Sequence, residues 1–168
     1  TCWEVTSFDG GGDGLGANVF IDPDDAPDGA APSIRADAYH PTEGLPWASV
    51  YFDHRDIAFA AGHGYRLDFW ARGAEPRQLL FDVGPEGDPH VEVIFVDDTW
   101  RPYSIDFTTD ATSLGGHLRF FVGTAEGDVS LWLDEVSLHD LGPDACAPSR
   151  AEVARGELIA DGGFDFGH

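Results

Sequence analysis

Trp47, Tyr51, Arg66, Asp68, Trp70, Asp82, Arg119 and Phe121 fall on one parity when the short apolar runs of this chain are laid out as strands. Alternation of side chains along a strand puts that parity on the face away from the core. The set combines flat aromatic rings with planar charged groups. Rings suit the C–H face of a sugar, and guanidinium or carboxylate groups suit its hydroxyls. Trp47, Tyr51, Arg66, Asp68, Trp70 and Arg119 are therefore the binding candidates. Packing is the competing role, because both faces of a strand can be covered in a layered β fold, leaving Trp70 or Phe121 under a loop. Trp100 and Tyr103, at a strand start, are assigned to packing.

Catalytic signatures are missing. There is no nucleophile elbow, no HExxH, no phosphate loop and no Cys–His pairing with a plausible base, and the seven histidines are scattered. Asp and Glu total 31, so some pair will stand at glycosidase separation by chance, and their abundance says nothing about hydrolysis. The expectation is a non-catalytic protein. The stretch from Asp9 to Pro32 is dense in Gly, Asp and Pro, and its GGGDG is similar to a calcium-binding repeat. It is a single copy of a motif that needs stacked copies, and Asp22, Asp24 and Asp28 miss the EF-hand spacing. A plain solvated loop is the expected reading there.

Charge narrows the partners. The net charge is -22, carried against nine arginines with no lysine, so nucleic acid and anionic membrane are poor partners and no nucleic acid is expected. Acidity of this kind keeps an extracellular protein soluble. No apolar run approaches the roughly 20 residues of a membrane span, so no membrane insertion is expected. Methionine is absent, so Thr1 is not a retained initiator, and a processed product, secreted or displayed at the cell surface, is the expectation. Cys2 and Cys146 are the only cysteines, too far apart for a zinc motif, and they read as a disulfide. Closing so long a loop would contribute about 5 kcal/mol at most in the chain-entropy model.

The elements that must hold these residues are strands. Runs are short, alternating or β-branched, and separated by Gly, Pro or Asp, which predicts an all-β sandwich jelly roll. Predicted strands are Trp3–Phe8, Ser33–Tyr39, Ala48–Phe52, Gly64–Arg72, Leu79–Val83, His90–Val96, Tyr103–Phe107, His117–Val122, Val129–His139 and Leu158–Phe164. Alternation directs Leu67, Phe69, Ala71, Phe81, Val83, Val91, Val93, Phe95, Leu118, Phe120, Val122, Leu131 and Leu133 inward. One domain is expected: a body over residues 1–141, a tether over 142–156 in which SRAEVAR can form a helical turn, and a final strand over 157–168.

GHGYRLDFWARG, WRPYSIDF, VSLWLDEVSL and LIADGGFD, in this chain, resemble strands of the calcium-bearing β-jelly-roll carbohydrate-binding modules found beside xylanases and glucanases. The resemblance covers most of the chain. It implies a structural calcium between the acid after GGF and the aspartate of the closing strand, here Asp165 and Asp134. Two carboxylates on adjoining strands repel unless a hard cation lies between them. One departure is plain: the GGF-acid strand comes first in the family and last here.

A first strand displaced to the tail fits a circular permutant, a unit cut from a tandem array, or a subunit that donates its tail. Head-to-tail assembly is the favoured expectation, with Leu158, Ile159, Phe164 and Phe166 filling the next copy's sheet. The partners are then other copies of the chain, with polysaccharide as a second partner. The alternative is a glycan-binding module of a secreted polysaccharide-degrading enzyme.

Overall fold

The computed structural model describes residues 3–6, 16–27, 32–39, 51–122, 129–143 and 157–159, and all its regular elements are strands. In chain order they are β1 (Glu4–Thr6), β2 (Gly16–Asp22), β3 (Ser33–Tyr39), β4 (Tyr51–Phe59), β5 (His63–Gly73), β6 (Arg77–Gly84), β7 (His90–Val96), β8 (Arg101–Thr109), β9 (Ser113–Phe121), β10 (Val129–Gly142) and β11 (Glu157–Ile159). They form two antiparallel sheets, one ordered β1-β4-β9-β6-β7 and one ordered β2-β3-β10-β5-β8. This is the expected β-sandwich jelly roll.

The core lies between the sheets because the alternating apolar residues of each sheet meet there. Phe69 of one sheet meets Phe81 and Phe120 of the other, at centroid distances of 5.7 and 5.0 Å with rings near perpendicular. Each ring is buried. Burying one such side chain contributes about 1.5–3 kcal/mol, and the edge-to-face contact about 0.5–1.5 kcal/mol more. At the other end Phe59, Tyr65 and Phe107 form a second aromatic group. The Tyr65 hydroxyl accepts a hydrogen bond from the Ala60 amide at 2.7 Å.

Two strands change parity in mid-course. In β4 the pairing with β9 slips between His54 and Ile57, with Asp56 at φ 60°. In β10 the pairing with β5 slips between Asp134 and Ser137, with Glu135 at φ 48°. Each bulge inserts a residue and flips the rest of its strand to the other face. Leu131 and Leu133 therefore point inward before the bulge, and Val136 and Leu138 after it. At Gly116 of β9, a Cβ would lie 2.4 Å from the Phe59 ring, so only glycine fits under that ring.

Two sequence expectations are corrected. The stretch read as a plain loop contains β2, which pairs along its whole length with β3. An edge strand needs one buried residue rather than a buried face, and Val19 packs against the core while Phe20 and Ile21 stay exposed. The second correction is β7. Val91, Val93 and Phe95 point out, and Ile94 and Val96 point in. Both parities of HVEVIFV carry apolar residues, so the single acid, Glu92, set the expected direction. It instead lies opposite Phe81 on the inner parity, where its carboxylate meets His90 Nε2 at 3.1 Å.

β11 pairs with β10 of its own chain, Leu138 opposite Ile159 and His139 opposite Glu157. β5 runs along the other side of these same β10 residues. β11 therefore takes the side occupied by β3 farther up, where β3 pairs Val129 to Leu133.

Candidate functional site

The outer face of the β1-β4-β9-β6-β7 sheet carries two rows of side chains in register. One row is apolar: Tyr51 faces Phe121, Phe121 faces Leu80, and Leu80 faces Val93. The next is polar: Asp53 faces Arg119, Arg119 faces Asp82, and Asp82 faces Val91. Tyr51, Leu80 and Phe121 make an apolar cluster separate from the core and are nearly covered. Toward the sheet edge the face opens, with Val91, Val93 and Phe95 exposed by 53, 51 and 61%.

The polar row is preorganised by charge. Asp53, wholly buried, accepts hydrogen bonds from Arg55 and, at 3.4 Å, from Arg119 Nε. Arg119 also lies over the Tyr51 ring, 5.6 Å from its centroid, and Tyr51 lies 5.7 Å from Phe121. A guanidinium held by both a carboxylate and an aromatic face keeps its direction. Farther along, His117 Nε2 lies 3.1 Å from Asp82 Oδ1, both side chains largely buried. On the inner parity of β4, burial pushes the His54 imidazole below its ordinary value, and Trp3 stands edge-on against it at 5.3 Å.

The outer face of the other sheet is built differently. Phe20, Arg35, Trp132 and Arg72 follow one another in register across β2, β3, β10 and β5. Arg35 lies 5.0 Å from the Trp132 ring centroid and Arg72 4.0 Å. The indole N–H of Trp132 donates to Asp22 at 3.0 Å, a bond that holds the Asp22 carboxyl below the usual carboxylate range. Trp100 donates to Asp25 at 2.8 Å, and Arg72 donates to the same carboxylate. Arrays like this one stabilise the sheet and leave few of their groups for a ligand. Arg66 is committed as well, through a two-pronged pairing with Asp106 at 2.7 and 2.8 Å.

The sequence-predicted residues are thus divided. Tyr51 and Arg119 share the first face with Asp82 and Phe121, whereas Arg66, Asp68 and Trp70 lie on the opposite side of the sandwich. Strand parity separates in from out and cannot tell which sheet a strand joins. Trp47, Cys2, Cys146, Asp165, Phe164 and Phe166 lie outside the described residues, as does the 144–156 part of the tether; Leu158 and Ile159 belong to β11. Trp100 and Tyr103 do pack, Tyr103 stacking on Phe69 at 5.3 Å and donating its hydroxyl to the Phe95 carbonyl at 2.7 Å. Asp53 and His117 escaped the sequence reading, and Val93 and Phe95 were assigned to the core. Asp53 and Tyr51 are two residues apart in YFDHRD, a signal that was legible once the strand is extended past Phe52.

For calcium, Asp134 fits in part. It is buried, and one carboxylate oxygen accepts from the Glu135 amide at 2.8 Å. Oxygen donors are what a hard cation requires, but one carboxylate is not a shell. Among the described residues no group of three or more His, Cys, Asp or Glu side chains could hold a metal. Nor is any described helix long and apolar enough to cross a membrane.

No protein-family model matches the sequence, and no curated protein matches it. Solved structures do resemble the fold. A CBM4 carbohydrate-binding module is 18% identical with a TM-score of 0.63, covering 82% of this chain and 86% of that one. The CBM22-1 xylan-binding domain of Paenibacillus barcinonensis Xyn10C is 14% identical with a TM-score of 0.57, covering 83% and 85%. The N-terminal cellulose-binding domain of Cellulomonas fimi β-1,4-glucanase C is 16% identical with a TM-score of 0.52, covering 74% and 88%. At such identities the likeness is one of fold: the chain has the β-sandwich of these carbohydrate-binding modules.

Proposed function

We propose that this chain is a non-catalytic, extracellular glycan-binding module whose sugar site is the outer face of the β1-β4-β9-β6-β7 sheet. The observation that carries the reading is the pair of registered rows, Tyr51–Phe121–Leu80–Val93 beside Asp53–Arg119–Asp82–Val91. A linear glycan needs an apolar strip for its ring faces and fixed polar groups beside that strip for its hydroxyls. The rows run across the strands side by side and open at Val91, Val93 and Phe95, where a sugar ring can lie on exposed apolar surface. Arg119 is flanked by Asp82 and the wholly buried Asp53, so the polar row presents a held guanidinium that can donate hydrogen bonds to sugar hydroxyls rather than a general acid. Retention on insoluble β-glucans and xylans tests the reading. The protein should be retarded, Arg119→Ala should lose that retardation while staying folded, and no reducing sugar should be released. A protein that binds no neutral polysaccharide in a broad panel defeats the proposal.

A second reading concerns assembly, in which β11 would make to a second copy the pairing that it makes to β10 of its own chain. The bonds that β11 makes to its own chain are those it would make to a second copy, so tail exchange needs no new contact. Head-to-tail polymers would form, with the glycan face still exposed. Light scattering on the intact chain and on a chain lacking Glu157 to His168 tests this: the intact chain should form concentration-dependent polymers that the truncated one does not. A stable monomer at every concentration places the tail permanently in its own sheet. Calcium bound by Asp134 with Asp165, and a Cys2–Cys146 disulfide, complete the proposal.

A further inference from the structure

The far side of the sandwich has a groove of its own, of about 540 Å³, lined by Asp68, Trp70, Pro102, Ser104, Glu135 and Ser137. Its order is set by strand register across β8, β5 and β10. Pro102 lies opposite Trp70, giving the groove an apolar pair of rings, and Ser104, Asp68 and Ser137 form the next row. The β10 bulge raises Glu135 at one side, its side chain turned to solvent by the positive φ.

The charge of this groove is one-sided. Asp68 and Glu135 are acceptors, and the serine hydroxyls add acceptors and donors alike. Neighbouring guanidinium groups are occupied: Arg66 by Asp106, Arg72 by Asp25 and the Trp132 ring, and Arg101 by Asp97. The nearest ion partner of Asp68 among the described residues is His139, 4.0 Å away. A net charge of -22 surrounds the whole. Anionic sugars are therefore rejected, and a ligand that brings its own positive charge and hydrogen-bond donors is favoured. The Trp70–Pro102 pair suits a rigid apolar face, and an indole ring can also take a cation.

From this complementarity we propose that the groove binds a polycationic glycan, one whose sugar rings carry free amino groups, independently of the neutral-glycan face on the other sheet. One ring of such a chain lies on Trp70 and Pro102. Its ammonium meets Asp68 or Glu135, and its hydroxyls meet Ser104 and Ser137. Flexible basic peptides carry the charge without the rigid face, and N-acetylated sugars carry the face without the charge.

Calorimetry on the full chain with glucosamine hexamer, N-acetylglucosamine hexamer, cellohexaose and hexalysine tests the proposal. The glucosamine hexamer should bind at least about tenfold more tightly than each of the others in moderate salt. Asp68→Asn and Glu135→Gln should each weaken it by about tenfold, the loss expected for one charge-assisted hydrogen bond. Trp70→Ala should remove most of the remaining preference over hexalysine, and Arg119→Ala should leave the affinity unchanged. Since either carboxamide variant alters one unit of a large net charge, a weakening of that size reports a local contact and not the general field. Equal binding of hexalysine and glucosamine hexamer, or full affinity in Asp68→Asn and Glu135→Gln, overturns the proposal. Loss in Arg119→Ala with none in Trp70→Ala overturns it too, by moving the ligand to the other face.

Discussion

Replacing Phe95 by Thr should cost little stability and much glycan binding, while replacing its neighbour Ile94 by Ala should do the reverse. Phe95 is 61% exposed on the outer side of β7, and Ile94 is 9% exposed on the inner side. Fully burying a phenylalanine contributes up to about 3 kcal/mol, so the two-fifths of Phe95 that is covered puts about 1 kcal/mol at stake. Thr keeps the β-branched character that a strand favours, which limits the added cost. Ile94→Ala leaves a void between the sheets and should cost about 2–4 kcal/mol, the low part of the core range applying because β7 is an edge strand. Urea unfolding of the two variants measures both costs, with the slope of the transition checked for equality. Affinity electrophoresis in soluble β-glucan measures binding. Equal destabilisation by the two substitutions would refute the assigned direction of β7, and a Phe95→Thr variant that binds normally would remove Phe95 from the glycan face.

Acidification should weaken the fold through His54, whose burial holds its folded pKa below 6.5. The unfolded chain then takes up a proton that the folded chain resists, so stability present above about pH 6.5 is lost as pH falls toward the folded value; relative to His54→Leu, the wild type should lose melting temperature between about pH 7.5 and pH 5, and parallel curves would exclude the mechanism. Thiol titration of the denatured, unreduced chain should find no free cysteine, two reactive groups per chain being the outcome that breaks the Cys2–Cys146 bridge. Chelation should lower the melting temperature of the wild type but not of Asp134→Asn, because a ligand at a hundredfold excess over its Kd adds about 2.7 kcal/mol to the folded state. Identical wild-type melts in chelator and in calcium would remove the ion.

Strand identity was largely legible because alternation is a local property: β3 and β7 have the predicted bounds, and β5, β6 and β8 extend theirs by a residue or two at each end. Direction was legible only where the two parities differ in polarity. YRLDFWAR alternates cleanly, and Tyr65, Leu67, Phe69 and Ala71 are buried as its pattern requires. HVEVIFV does not alternate, and its one acid pointed the reading the wrong way. Bulges were invisible because their cause is a single backbone angle, at Asp56 and Glu135, with no residue signature as strong as glycine. The site suffered most, since partnership between strands distant in sequence decides which outward residues meet. Tyr51 and Arg119 come together only because β9 pairs with β4 rather than with a strand of the other sheet.

That division explains why a single sugar platform joining Tyr51 and Arg119 to Arg66, Asp68 and Trp70 was chemically sound yet spatially impossible. Arg66 and Arg119 have the same outward parity and opposite fates. Arg66 is fixed by Asp106 on the neighbouring strand of an exposed face, where a two-pronged pairing satisfies its donors. Arg119 is shared between Asp53 and the Tyr51 ring, at 3.4 and 5.6 Å, looser contacts that leave donors for a third party. Among the described residues Arg119 makes one carboxylate contact, whereas Arg66 makes two to a single partner. Partly exposed beside an apolar row, Arg119 can donate to a bound sugar hydroxyl, which is why it rather than any of the aromatic residues is the position on which the glycan reading stands or falls.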